Sequence, residues 1–95
     1  MNKQERRSRE RIIYDLLKSI ENLGGEVIQT KLMVKTNLPH ILFKRCVDEL
    51  IKNQMISEKS KWNKDTEHKY YLTLDKGFIY VSKYEELMKG LDGGN

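Results

Sequence analysis

The sequence predicts a mostly helical α+β fold in a single small domain. The chain has 95 residues, which is the length of one domain. Apolar residues recur every three or four positions over the first half of the chain, and an alternating pattern replaces this spacing after residue 55. Because the apolar residues recur so regularly, the 34% of charged residues does not indicate a disordered chain.

The first helix is expected from about Ser8 to Leu23. One apolar stripe defines it: Ile12, Ile13, Leu16, Leu17, Ile20 and Leu23. Ser8 is a suitable N-cap, and Gly24-Gly25 ends the helix because one glycine can take the left-handed conformation that follows a helix.

The next segment predicts a short strand followed by a short helix. Val27-Ile28 is a β-like pair, and Thr30 is the expected N-cap of a helix over residues 31–36 that buries Leu32 and Met33. Asn37-Leu38 forms a turn, since Asn tolerates left-handed backbone geometry.

A third helix is expected from Pro39 to about Asn53, because proline suits the first turn of a helix. Its inner face carries Phe43, Cys46, Val47 and Leu50. Strands over residues 56–62 and 70–74 then make a hairpin whose polar loop, residues 63–68, is longer than two residues. Asp75 is the expected N-cap of a fourth helix over residues 76–91, which Gly77 weakens slightly.

Two helices joined by a turn of about three residues and followed by a hairpin form a winged helix-turn-helix pattern. The expected organisation has four parts. They are a flexible basic arm at residues 1–7, a winged helix-turn-helix domain at 8–74, a C-terminal dimerisation helix at 75–91 and a disordered tail at 92–95.

Three stretches carry a resemblance to a known family: RSRERIIYDLL at residues 7–17, TKLMVKTNL at 30–38 and YYLTLDKGFIYVSKYEEL at 70–87. They are similar to small archaeal winged helix-turn-helix DNA-binding proteins, which are chromatin-associated or regulatory. The resemblance implies a dimer on DNA, with the third helix in the major groove and the C-terminal helices paired in an antiparallel coiled coil. Pro39 departs from the family pattern, which tends to have a Ser or Thr cap there.

The charge distribution agrees with one DNA-facing side. The net charge is only +4, but residues 1–11 are mostly basic and residues 85–95 are slightly acidic. An ordinary solvated surface is the alternative explanation.

Other classes of protein are not favoured by the sequence. A single cysteine, Cys46, allows no internal disulfide, and no His/Cys/Asp cluster or glycine-rich phosphate loop is present. We therefore expect no enzyme, cofactor, metal or small-molecule ligand. The short apolar runs and the charged N-terminus predict a cytoplasmic protein that neither spans a membrane nor carries a signal peptide. If it binds DNA, as the resemblance implies, we expect it to be nucleoid-associated.

The third helix supplies the main candidate contacts with DNA, because the first turns of such a helix reach base edges. The candidates are His40, Ile41, Lys44 and Arg45, with Arg45 suited to guanine and Ile41 to a thymine methyl group. Asp48 and Glu49 should limit contact farther along the helix.

Further candidates lie elsewhere. They are Arg7 and Arg9 in the basic arm and first helix, Thr30, Lys31 and Lys35 for phosphates, and Lys61, Lys64 and His68 in the hairpin. Trp62 is expected to pack at the base of the hairpin rather than to stack on a base.

The last helix carries two apolar stripes. Phe78, Val81 and Met88 are expected to cover the domain. The second stripe, Tyr80, Tyr84, Leu87 and Leu91, is then left for a partner helix, or the two stripes form one broad face against the first helix.

The leading hypothesis is a dimeric, sequence-specific transcriptional regulator that binds double-stranded DNA. One alternative is an architectural chromatin protein with little sequence preference. Another is a winged-helix module that binds protein through Ile41 and Leu42, since a fold alone does not settle function.

Overall fold

Residues 7–92, the part of the chain that the computed structural model describes, form four helices and a three-stranded sheet. The elements are α1 (Arg9–Asn22), β1 (Glu26–Ile28), α2 (Gln29–Thr36), α3 (His40–Lys52), β2 (Ile56–Asn63), β3 (Thr66–Thr73) and α4 (Asp75–Asp92). The predicted mostly helical α+β winged fold is confirmed. Most of the predicted arm and tail, residues 1–6 and 93–95, lies outside the described residues.

The sheet has the order β1-β3-β2, and both pairings are antiparallel. Tyr71 of β3 lies opposite Val27 of β1 and opposite Glu58 of β2. Because side chains alternate across a strand, Val27, Tyr71 and Ile56 share one face, and all three are buried. The helices cover this face, and the other face of the sheet stays open.

The core is formed mainly by the apolar stripes of α1 and α3. Leu16, Leu17 and Ile20 of α1 are essentially inaccessible to solvent, as is Phe43 of α3. The predicted cap of α1 is confirmed, since the Ser8 hydroxyl accepts a hydrogen bond from the Arg11 N–H at 3.0 Å. The glycine stop is confirmed as well. Gly24 and Gly25 have φ of 105° and 94°, a region that side chains disfavour.

The second helix starts earlier than predicted. It begins at Gln29, directly after β1, so Thr30 lies inside the helix, and the N-cap residue Ile28 makes no side-chain cap hydrogen bond. The prediction of Thr30 as the cap is therefore wrong, because pairing of Ile28 with Tyr70 fixes the chain just before the helix. Asn37 takes the predicted left-handed conformation, with φ of 52°.

The hairpin turn is shorter than predicted. Asn63 pairs with Thr66, so Lys64-Asp65 is a two-residue turn, and the expected longer loop is wrong. The polar residues 66–69 continue β3, because each pairs with a residue of β2 and so satisfies its backbone groups. We call the hairpin of β2 and β3, residues 56–73, the wing.

The fourth helix lies very close to the domain at Gly77. A Cβ atom at this position would be 2.5 Å from the Met55 carbonyl oxygen and 2.7 Å from the Thr73 Cγ2 atom. Asp75 lies in the first turn of the helix rather than preceding it as the cap. Because Gly77 has no side chain, α4 can pack directly against Met55 and Thr73. This role of Gly77 adds to the predicted weakening of the helix.

The apolar faces of α4 differ from the predicted stripes. Val81 is buried, but Phe78 is 51% exposed, so the expectation that Phe78 covers the domain is wrong. Instead, Tyr84 stacks on Tyr14 of α1 at 4.5 Å, and the Tyr80 hydroxyl donates to the Glu10 carbonyl at 3.0 Å. These two contacts hold the aromatic side chains of α4 against α1.

Candidate nucleic-acid interface

The outer face of α3 is the main candidate site. Burial of Phe43, Val47 and Leu50 fixes the rotation of this helix about its axis. As a result, one exposed face collects the predicted residues of the first turns: His40, Ile41, Lys44 and Arg45. Ile41 is 73% exposed, which is a high value for an apolar side chain. The two cations on the same face are Lys44 and Arg45.

The two cations of this face have no acidic partner among residues 7–92. Neither Lys44 nor Arg45 makes an ion pair or a side-chain hydrogen bond there. Their positive charges are therefore available to an anionic ligand. Asp48, one turn farther along, is exposed, as the sequence suggested.

Glu49 is neutralised by a residue from another helix. The Arg9 guanidinium of α1 donates a hydrogen bond to Glu49, and this contact raises the pKa of Arg9 above its ordinary value. The negative charge that was expected to limit contact along α3 is thus partly cancelled. This pairing joins residues 40 positions apart, and no local sequence pattern identifies it.

Arg7, also a predicted contact residue, is engaged within the domain. Its guanidinium pairs with Asp15 at 2.8 Å and donates to the Thr36 carbonyl at 3.2 Å. Thr36 is the last residue of α2, so Arg7 braces the turn between α2 and α3. This last residue of the predicted flexible arm is therefore bound to the domain.

The predicted phosphate contacts of α2 are accessible. Thr30, Lys31 and Lys35 are exposed and line a shallow groove together with Leu23 and Val34. Lys31 and Lys35 have no ion-pair partner among residues 7–92.

The structure separates Lys61 from the candidate site. Lys61 and its cross-strand neighbour His68 lie on the open face of the sheet, away from the helices. The Lys61 ammonium group pairs with Glu26 at 2.8 Å and lies 4.5 Å from the centre of the Tyr70 ring, while Lys59 approaches Glu26 at 3.7 Å. These contacts lower the pKa of Glu26 and raise that of Lys61.

The end of the wing presents different residues. Lys64 is exposed in the turn and has a φ of 60°, which is unusual for a residue with a side chain. Trp62 is 68% exposed, so the expectation that it packs at the base of the wing is wrong. Residues 62–67 are all exposed, so this end of the wing lies beyond the core. The alternation of β2 predicts only that Trp62 shares a strand face with Ile56, and the exposure of Trp62 depends on how far the wing extends beyond the core.

The described residues form neither a metal-ligand cluster nor a membrane-spanning helix. Within residues 7–92 no three His, Cys, Asp or Glu side chains come together as metal ligands would. None of the helices in this part of the chain has the length and apolar character needed to cross a membrane.

Similarity to known proteins shows the family to which the chain belongs. The family model of the winged helix-turn-helix matches residues 6–91, and the chain belongs to this family. No curated protein sequence matches the chain.

A solved structure is similar over almost the whole chain. It is the crystal structure of Sso10a-2, a DNA-binding protein from Sulfolobus solfataricus. The TM-score is 0.69 at 22% sequence identity, and the match covers 93% of this chain and 84% of that one. This likeness confirms the fold and includes the C-terminal helix.

Proposed function

We propose that the chain binds double-stranded DNA, with α3 in the major groove, and that it acts as a sequence-specific transcriptional regulator. The observation that carries the proposal is the exposed face of α3, where Lys44 and Arg45 have no acidic partner within residues 7–92. The winged helix-turn-helix family and the similarity to a DNA-binding protein support it.

The chemistry of this face suits base edges as well as phosphates. An Arg side chain donates two hydrogen bonds to guanine, and an exposed Ile packs on a thymine methyl group. Arg45 and Ile41 offer these two kinds of contact from the first half of α3, and His40 and Lys44 flank them. This combination favours a sequence-specific protein over one that only coats DNA.

Phosphate contacts are proposed for residues around this face. They are Thr30, Lys31 and Lys35 of α2 and Lys64 at the wing turn. Four other residues were predicted contacts: Arg7, Arg9, Lys61 and His68. The first three are held by acidic residues of the domain, and His68 lies on the open face of the sheet, so they are weaker candidates than the residues of α2 and α3.

The experiment measures binding of a labelled DNA duplex over a range of salt concentrations. We expect binding that weakens steeply with salt, because each phosphate contact releases counterions. Changing Lys44 and Arg45 together to Ala should lower the affinity at least tenfold and flatten the salt dependence, by about one unit of slope per lost phosphate contact. Lys89→Ala, a change at an exposed lysine of α4, is the matched control and should alter neither.

Three results separate the proposal from its alternatives. Absence of binding to any duplex at low salt would contradict DNA binding. Unchanged DNA affinity after the double change would favour the protein-binding module. Genomic occupancy at a few sharp sites supports the regulator, whereas broad coverage would replace it with the architectural protein.

We also propose that the active form is a dimer joined through α4. Leu87 and Leu91 are 62% and 70% exposed, and they continue the line of Tyr80 and Tyr84 along the helix. A groove lined by Glu10, Tyr80, Lys83, Tyr84 and Leu87 runs beside this line. A second copy of α4 would bury these apolar side chains.

We assign no catalytic step, cofactor or metal to the chain. The winged helix-turn-helix family and the similarity to a DNA-binding protein support this assignment. A protein with this function would act at the nucleoid.

A further inference from the structure

The end of the wing differs from the rest of the candidate interface in its chemistry. Trp62, the only tryptophan of the chain, is 68% exposed there. From Trp62 to Glu67 the tip holds one cation, Lys64, and two anions, Asp65 and Glu67. Glu67 lies directly opposite Trp62. The tip therefore has little ability to neutralise phosphates.

The lysines nearer the body do not change this conclusion. Lys59 and Lys61 lie on the open face of the sheet and are held by Glu26. On the other face, Lys69 approaches Glu58 at 3.6 Å. A contribution of the wing to DNA binding must therefore come mainly from non-ionic contacts.

The position of Trp62 places it on the side of the helices. It shares a strand face with Ile56, which is buried beneath them, because both occupy alternate positions of β2. At about 3.3 Å per residue, the indole lies about 20 Å from Ile56 along the strand. A major groove is about 12 Å wide, so a wing of this length beside α3 can cross its border and reach the neighbouring minor groove.

The turn fixes where the one cation of the tip lies. Lys64 has a φ of 60°, in the left-handed region where Asn or Gly is favoured in hairpins. A two-residue hairpin turn requires such a conformation, so the backbone of Lys64 follows from the turn. Lys64 lies two residues along the chain from Trp62, so at most one phosphate contact accompanies the indole at the tip.

We propose that Trp62 is a DNA-contacting residue that inserts its indole into the minor groove next to the site of α3, where it stacks on an exposed base or sugar. This inference rests on the proposed DNA binding and deepens it. Apolar side chains from other proteins act as wedges in minor grooves, and aromatic stacking tolerates any base. The contact adds affinity without releasing counterions.

The test uses the full chain and its single tryptophan as the reporter. Adding duplex DNA should quench or shift the Trp62 fluorescence, with the same midpoint as the anisotropy of the labelled DNA. Trp62→Ala should lower the affinity about tenfold or more and leave the slope of affinity against salt unchanged. Trp62→Phe should retain most of the affinity. The double change of Lys44 and Arg45 provides the contrast, since it alters the slope.

The outcomes of these measurements separate the proposed contact of Trp62 with DNA from its alternatives. Unchanged fluorescence on a saturating duplex, or full affinity of Trp62→Ala, overturns the inference while DNA binding stands. A fluorescence change that follows protein concentration without DNA would assign Trp62 to a contact between copies and overturn it as well. If the labelled duplex shows no binding at low salt, the proposed function itself fails, and this readout does not depend on Trp62. Thermal melting of Trp62→Ala should match the parent chain, because the side chain is exposed.

Discussion

At the scale of single residues, Gly77 shows how one missing side chain positions a helix. The first turn of α4 lies against the Met55 carbonyl and the Thr73 side chain, with no space for a Cβ atom between them. Helix propensity alone predicts that alanine at this position would stabilise the protein, whereas the close packing predicts that it would destabilise it.

We expect Gly77→Ala to destabilise the protein by about 1–3 kcal/mol, since the backbone oxygen of Met55 must move. Gly90→Ala, in the same helix, is the matched control. A Cβ at Gly90 meets nothing within 4 Å, so this change should be neutral or stabilise by up to about 1 kcal/mol. Urea unfolding of both variants measures the difference. A Gly77→Ala protein as stable as the parent would show that α4 is not held in this position.

The ionisation of Tyr71 is coupled to folding. Burial raises its pKa from 10.0 to about 12, with a smaller contribution from the negative charge of Glu58. Its hydroxyl accepts a hydrogen bond from Gln29 at 3.1 Å. Below pH 10 the phenol is protonated in both the folded and the unfolded chain, so this contribution to stability is complete there.

Between pH 10 and 12 the unfolded chain loses this proton while the folded chain keeps it. The stability due to Tyr71 should therefore fall by up to about 1.4 kcal/mol per pH unit in that window. Tyr71→Phe lacks the ionisable group, so the stability difference between the parent and this variant should shrink as the pH rises from 10 to 12. Urea unfolding at several pH values tests this, and a constant difference would contradict a raised pKa for Tyr71.

At the scale of elements, the contact between α1 and α3 explains how an acidic residue is tolerated on the proposed DNA-binding helix. Arg9 of α1 pairs with Glu49 of α3. Two roles for Arg9 are possible on DNA: it contacts a phosphate itself, or it masks the negative charge of Glu49. The charge distribution of α3 favours the masking role.

A double-mutant cycle separates these roles. We expect Arg9→Gln to weaken DNA binding several-fold, because Glu49 is then free to repel phosphates. Glu49→Gln should leave the affinity equal or higher, and Arg9→Gln combined with Glu49→Gln should restore it. If the double variant binds as weakly as Arg9→Gln alone, Arg9 contacts DNA directly. Stability should change little, because the pair is exposed and solvent screens it.

At the scale of the whole molecule, the exposed side of α4 is the feature on which the proposed dimer depends. Its inner side is used within the domain through Val81 and the stack of Tyr14 on Tyr84. Leu87 and Leu91, near its end, remain exposed. The broad-face alternative, in which α1 covers all the apolar residues of α4, therefore does not account for the last two turns.

The mass in solution tests the dimer. We expect sedimentation equilibrium to give twice the chain mass of 11.3 kDa. Changing Leu87 and Leu91 to Gln should give monomers, because the apolar contact between the helices is lost. Phe78→Gln is the control, since this exposed apolar residue of α4 lies outside the proposed seam and its change should leave the dimer intact. A parent chain that stays monomeric up to millimolar concentration would rule out the dimer.

The sequence by itself determined the elements whose signals are local. The stripe of α1, the cap at Ser8, the glycines that end α1 and the left-handed Asn37 all depend on residues a few positions apart, so pattern and backbone preference are enough. The face of α3 was predictable for the same reason, because burial of Phe43, Val47 and Leu50 leaves only one side exposed.

Only the tertiary structure decided the features that join distant parts of the chain. Strand pairing shortened the hairpin turn and displaced the cap from Thr30, because backbone hydrogen bonds between strands outweigh local turn preferences. Arg7 contacts Thr36, 29 positions away, and Arg9 pairs with Glu49, 40 positions away. Gly77 of α4 packs against Met55, 22 positions away, so no local pattern reveals these contacts. The same holds for Trp62, whose exposure depends on how far the wing extends beyond the core.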